Sequence, residues 1–213
     1  MALKFGQSKG TAQKDRADSY TYKDGENRVR LVGDLCARYV YWIKGENDKP
    51  LPFECLAFNR ATEKFDNAET DHVKTFHPDL KCSWAYAMQC IDLATGELKT
   101  LNFKKKLFGQ IMDASDQLDG IDPTDPDNGF DIVFTKKKTG PLPINVEYTL
   151  QVLKCKPRPL TDKERETIAD LKSMDVVLPR PTAEAQKALL EKLQSGGSGE
   201  SIDEEISDEF KVE

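Results

Sequence analysis

The sequence predicts a mainly β, α+β fold: a small barrel or curled antiparallel sheet with one helix late in the order. Three observations carry this. Apolar and polar residues alternate at period two in run after run between Arg28 and Val152, as half-buried strands require. The period switches to a helical one at Leu107, Phe108, Ile111 and Met112. Gly, Pro, Asn and Asp gather between the runs, where turns must fall.

In chain order, residues 1–25 are polar and aperiodic and are expected to form a flexible N-terminal segment. In RVRLVG, Val29 and Leu31 share one face and Arg28 and Arg30 the other. LCARYVYWIKG continues as a β-branched and aromatic strand. Tyr39 and Tyr41 lie on one face, Arg38 and Trp42 on the other; one pair must point into the core, and alternation alone does not choose. LPFECLAFNR is the next strand pattern, and the polar stretch 61–80 reads as a long loop or small insertion. KCSWAYAMQCID sets Cys82, Trp84, Tyr86, Met88 and Cys90 on one side. After an ATGE turn, LKTLNF is a further strand.

KKKLFGQIMDA is the amphipathic helix and DPTDPDNG a loop of turn formers. Strands from Phe130 to Thr135 and from Asn145 onward close the body, with Val146, Tyr148, Leu150 and Val152 inward. The sum is about seven strands and one core helix: an OB-like five-stranded barrel with insertions over residues 26–160. Beyond Pro159, Thr161 and Glu164 stand at capping-box spacing and Thr182 is an N-cap, so 161–195 is a C-terminal helical extension. Residues 196–213 are an SGGSG linker and an acidic tail, expected to be flexible and disordered.

Of 37 acids and 31 bases, seven acids and one lysine lie in 200–213, so residues 1–199 carry thirty of each. The net charge of -6 is therefore a property of the tail, and the body's cations are clustered. No apolar run is long enough to span a membrane and the start has no apolar signal core, so a cytoplasmic protein without a membrane partner is expected. Five scattered cysteines with no CxxC read as reduced thiols, mostly in the core.

The strongest chemical pattern is cations beside aromatics. Binding an unpaired nucleic-acid strand needs cations for phosphates and rings for bases. The candidates are Arg28, Arg30, Arg38, Tyr39, Tyr41, Trp42, Arg60, Trp84, Tyr86, Lys104, Lys105, Lys106, Lys136, Lys137 and Lys138. The competing reading makes the rings core and the lysines a solvated rim. His72, His77, Cys82 and Cys90 are ligand types at a spacing that matches no zinc module, so no metal or cofactor is expected. Asp116, Asp119, Asp122, Asp125 and Asp127 could hold magnesium for a nuclease or other phosphoryl-transfer enzyme, the alternative function. Pro123, Pro126, Asn128 and Gly129 explain the same loop as turn chemistry. With two histidines and no GxSxG, HExxH or phosphate loop, an enzyme is not expected.

The VRLV strand after a polar start, RYVYW, SWAYAMQCID, GELKTLNFKKKLFGQIMDA, DPTDPDNGFDIVFTKKKTG and the acidic end after a linker occur in an order that resembles the single-stranded DNA-binding, helix-destabilising proteins of tailed bacteriophages. The resemblance covers roughly residues 28–160 and the tail. It implies an OB-fold core and cooperative, largely sequence-independent coating of single-stranded DNA, with association between neighbours. It also implies work in phage DNA replication, recombination and repair inside the infected bacterial host. It implies too that the tail recruits replication and recombination proteins, here through Ile202, Asp203, Glu204, Glu205, Ile206, Asp208, Glu209 and Phe210, while the tail's charge on a flexible linker suits it to compete with DNA for the basic groove. The chain departs from the best-known members at NRATEKFDNAETDHVKTFHPDLK, which lacks their zinc-binding cysteine pair, and at its N-terminal KFGQSKGTAQKDR, which does not match their neighbour-contact segment.

Overall fold

The computed structural model describes residues 19–45, 50–142 and 145–195. The expected linker and acidic tail therefore lie outside the described residues. The strand β1 (Gly25–Cys36) is followed by β2 (Tyr39–Lys44), β3 (Pro50–Glu54), β4 (Phe58–Asn59), β5 (Lys64–Phe65), helix α1 (His72–Phe76) and β6 (Ser83–Trp84). Then come β7 (Ala87–Asp92), β8 (Glu97–Asn102), α2 (Lys105–Gln117), β9 (Ile132–Lys138) and β10 (Val146–Leu150). Helices α3 (Asp162–Thr167), α4 (Met174–Val177) and α5 (Ala183–Gln194) complete the described chain.

The body is a five-stranded antiparallel sheet in the order β10-β9-β1-β7-β8. Its strands follow one another in sequence as β1, β7, β8, then α2, then β9 and β10. This mainly β arrangement, with a helix between the third and fourth strands, is consistent with an OB-like fold. The central strand β1 buries Val29 and Leu31 in the main core, as alternation predicts. Its register sets Leu31 opposite Cys90 and Val29 opposite both Asp92 and Ile132. A bulge between Val32 and Leu35 bends the strand. Gly33 sits in it with φ +73°, a conformation in which a side chain is strained, and a Cβ there would meet Leu171 Cδ2 at 2.9 Å, so glycine is favoured.

Everything from β2 to β6 is inserted between β1 and β7. A three-stranded sheet, β3-β2-β6, carries most of it. The stretch 61–80, expected as a long loop or small insertion, contains the end of a small hairpin, β4 with β5, and then α1. Asp71 caps α1 by accepting from the Val73 N–H.

Helix α2 differs in detail from the predicted stripe. Leu107, Ile111 and Ala114 are buried, whereas Met112 is half exposed. The spacing i, i+4, i+7 turns position 112 away from the sheet. The Gln110 side chain accepts from the Leu150 N–H and donates to the Tyr148 carbonyl, satisfying the outer edge of β10. Val152, expected inward, lies in the 3-10 turn Val152–Lys154 beyond that strand, where the period-two pattern no longer applies.

The N-terminal expectation needs correction from residue 19 onward, and residues 1–18 lie outside the described residues. Residues 19–24 are docked onto the sheet, not part of a free segment. Ser19 bridges Thr100 in parallel on the outer edge of β8, and the Tyr20 N–H donates to the Thr100 carbonyl. Tyr20 is buried and its hydroxyl donates to Asn27 Oδ1 at 2.9 Å. The Tyr22 hydroxyl donates to the Asn102 carbonyl at 2.9 Å, while its ring packs on Phe134 and Tyr148. One strap thus touches both edge strands of the sheet. Burial of two aromatic rings outweighs the polar composition around them.

The C-terminal extension packs onto the body. The capping box of α3 forms as predicted, and Thr182 caps α5. Gln186 is buried and bonds the Glu54 carbonyl and the His72 N–H, both at 2.8 Å. Leu190 joins the main core, and Met174 and Leu178 cover Cys36 and Ala87. All five cysteines are free, and four are buried.

Candidate nucleic-acid interface

The two faces of the sheet offer different surfaces. On one, the guanidinium of Arg30 is fully buried. It donates to the Asp125 carbonyl at 2.7 Å and the Arg158 carbonyl at 3.2 Å, and lies 3.7 Å from Asp131. Gly129 lets this loop close over it: a Cβ there would come within 2.5 Å of the Asp125 carbonyl oxygen. Farther along, the Gln89 amide donates to the Lys172 carbonyl at 2.6 Å and Leu171 lies against Gly33. Loop 123–129 and the C-terminal extension therefore overlie β1 and β7 at these points.

The open surface lies at the insertion and α2. Tyr39 and Trp84 are directly opposite each other on β2 and β6, and both are half-buried. Trp84 stacks on Tyr86 with centroids 4.5 Å apart and planes 13° from parallel. It also meets Phe108 of α2 at 5.4 Å. On the other side, Tyr39 contacts Phe58 at 4.8 Å and Phe65 at 5.1 Å. A continuous band of rings runs from the β4–β5 hairpin to the first turns of α2.

The lysines continue that band. Lys104 is one helical turn before Phe108, and Lys105 and Lys106 are exposed beside it. The Lys104 ammonium sits 5.5 Å from the centre of the Tyr22 ring. Lys136 donates to the Tyr22 carbonyl at 3.0 Å and pairs with Asp24 at 3.2 Å. Residues from two triplets more than thirty positions apart in sequence thus meet at one tyrosine. Partial burial, reinforced by repulsion from Lys136, pulls the Lys104 pKa below the ordinary lysine value. A phosphate placed there would relieve that repulsion. The second triplet is split by the strand. Ile132 and Phe134 face the core, so Lys136 and Lys138 lie on their side. Lys137 lies on the other, opposite Glu147.

Several candidates are engaged elsewhere. Arg38 is buried; its Nε donates to the Ala85 carbonyl at 3.0 Å and Nη2 to Asn102 Oδ1 at 3.3 Å. The Tyr39 and Tyr41 side of β2 is the one that faces the main core, and Tyr41 is fully enclosed. Its hydroxyl donates to Asp71 at 2.9 Å beside Cys55, whose thiol is pushed up to about 12 chiefly by burial. Trp42, on the opposite side, is half-buried opposite Pro52. Arg60 forms a bidentate pair with Glu54, at 2.7 and 2.5 Å, and donates to the Leu178 carbonyl. Tyr86 is buried beneath Trp84. Arg28 is exposed, 3.9 Å from Glu26.

Sequence reasoning missed Tyr22, Phe65 and Phe108. Phe108 stood in a helix stripe and Tyr22 in a segment read as free. Phe65 was a lone ring in a polar stretch. The Asp-rich loop serves as turns: Asp122 accepts from the Thr124 N–H, and Asp125 from the N–H groups of Asp127 and Asn128. Among the described residues, no three His, Cys, Asp or Glu side chains come together as a metal-holding group, and no helix is long and apolar enough to cross a membrane.

The structure is a mainly β protein, consistent with an OB-like fold, in which a band of rings leads to a group of lysines. No family model matches the chain. The chain is similar to a curated protein of Escherichia phage T5 named "Probable ssDNA-binding protein", 31% identical over 163 residues. The match covers 71% of this chain and 60% of the relative, so the chain spans less than two thirds of that relative's length. The relative's printed name agrees with the family that the sequence resembles.

Proposed function

We propose that the protein binds single-stranded DNA along the band from Tyr39 and Trp84 through Phe108 to the lysines around Tyr22. The carrying observation is the meeting of Lys104 and Lys136 at Tyr22, beside stacked and half-exposed rings. Cations track phosphates, and ring faces take unpaired bases of any sequence. The T5 relative supports the same reading. Arg30, Arg38 and Tyr41, being enclosed, act as supports, whereas Lys105, Lys106, Lys137, Lys138 and Arg28 remain open to solvent.

In this reading the five strands curl into an OB barrel, with the 19–24 strap in the seam between β8 and β10. The protein coats single strands during phage DNA replication, recombination and repair in the host cytoplasm, with neighbours associating along the DNA. The acidic tail, net -6 over 200–213, competes for the lysines and recruits replication and recombination proteins. The protein is not an enzyme.

The test is a gel-shift titration of labelled single-stranded and duplex DNA, with and without magnesium. Binding of the single strand well above duplex, weakening steeply with salt and leaving the DNA intact, is expected. Equal affinity for both forms would reduce the surface to generic phosphate binding, and magnesium-dependent cutting would restore the nuclease alternative.

A further inference from the structure

We infer that Phe65 is a base-stacking residue that extends the DNA surface onto the β4–β5 hairpin; this rests on the single-strand reading above. Phe65, on a polar hairpin, rests one side of its ring on the core residue Phe58 and leaves 52% of its surface exposed. Its support is rigid. Phe58 and Phe65 are cross-strand partners with centroids 5.2 Å apart, and Tyr39 meets Phe65 at 63°. The Asn59 amide donates to Asp66 at 2.7 Å, and Asn59 Oδ1 accepts from the Ala61 and Thr62 N–H groups. The Asn67 N–H donates to the Ala57 carbonyl.

Two further details tie the hairpin to the band. Glu63 and Asn67 flank Phe65 with φ 52° each, in the left-handed region that non-glycine residues seldom adopt, so the turn is held in one shape. Tyr39, which touches Phe65, also meets the Tyr86 ring at 6.5 Å, and Tyr86 lies stacked beneath Trp84. Phe65 is therefore a preorganised ring, continuous with Tyr39, Tyr86 and Trp84 and offering its free side to solvent. Lys64, exposed on the opposite side of the same strand, supplies a cation at the hairpin's edge. An unpaired base between phosphates matches that combination: a face to stack on and a charge to meet.

The experiment titrates a fluorescently labelled oligothymidylate with the full chain and with Phe65→Ala, Phe65→Leu, Phe65→Trp and Trp84→Ala. Phe65→Ala and Phe65→Leu should weaken binding alike, by about 5- to 150-fold, since leucine keeps apolar area but has no ring face. Phe65→Trp should keep the affinity, and its added emission should be quenched by the oligonucleotide. That readout stands even if the alanine variant folds poorly. Wild-type affinity in Phe65→Ala, or rescue by leucine, overturns the assignment. So does loss of self-association with DNA affinity unchanged, which would make the ring a contact between copies. A role for Phe65 alone fails if Trp84→Ala weakens binding and Phe65→Ala does not. The single-strand reading itself fails if the wild-type protein does not bind.

Discussion

Replacing Lys104 and Lys138 by alanine should flatten the salt dependence of single-strand binding, whereas replacing Lys137 should leave it unchanged. The distinction comes from strand geometry. Lys136 and Lys138 share the side of β9 that leads from Phe134 toward Tyr22, where Lys104 lies over the ring. Lys137 points to the other side, opposite Glu147. Each phosphate contact to a single strand contributes a slope of about 0.7 in log affinity against log salt, so losing two should flatten it by about 1.4. Between about 50 and about 200 mM salt, the wild type should then lose about sevenfold more affinity than the double variant. Folding should change little. The Lys104–Tyr22 contact is worth about 0.5–1 kcal/mol, and its loss is partly offset by removing repulsion from Lys136. Fluorescence anisotropy with one oligothymidylate at several salt concentrations reads the slopes directly. A Lys137→Ala slope as flat as that of the double variant, or a double-variant line parallel to wild type, would refute the geometric argument.

Arg60→Ala should leave the salt slope intact but cost about 2–3 kcal/mol, lowering Tm by roughly 4–12 °C. Arg180, 3.3 Å from Glu54, keeps that carboxylate from being left alone. Thermal melts paired with a salt titration check this, and a flatter slope with an unchanged Tm would return Arg60 to the phosphates. Trp84→Ala should weaken single-strand binding by about 1–3 kcal/mol, read by titration, and should also lower Tm because Tyr86 and Phe108 lose a packed neighbour. Arg158 holds the Glu164 carboxyl down to about 2. A folded-state pKa below the ordinary carboxylate value gives stability that is complete above about pH 4.5 and fades as pH falls toward about 2. Glu164→Gln should therefore be less stable than wild type at neutral pH, with the gap closing across that acid window in melts at stepped pH. A constant gap would argue against the ion pair as its source.

Strands and caps were readable because their signals are local. Val29 and Leu31 alternate with arginines, and Thr161 and Glu164 stand at the spacing of a reciprocal cap. Residue type misled wherever a distant segment supplied the environment. Arg30 and Arg38 look like surface cations until loop 125–131, Arg158, Ala85 and Asn102 come together around them. A buried guanidinium with carbonyl partners has no signature in its own strand. Met112 matched the helical period, yet the sheet meets only the stripe through Ala114. The lysine triplets were visible as charge, but their meeting at Tyr22 depends on β9 and the end of β8 approaching the same strap. Phe65 was hidden because the two-residue strand carrying it is too short to show alternation.

The 19–24 strap also fixes an address. Ser19 is anchored at Thr100 and lies three residues before Tyr22, so at most about 11 Å of chain separates it from the lysine cluster. Anything attached ahead of Ser19 starts its path beside the surface where phosphates would arrive. A bulky group joined directly to Ser19 in place of residues 1–18 would crowd an incoming strand before touching the core. Trimming past Tyr20 would instead remove a ring from the interior and a pairing from the β8 margin. The two ends of such a trimming series should therefore fail differently: additions upstream slow association, and deletions through Tyr20 lower the melting temperature.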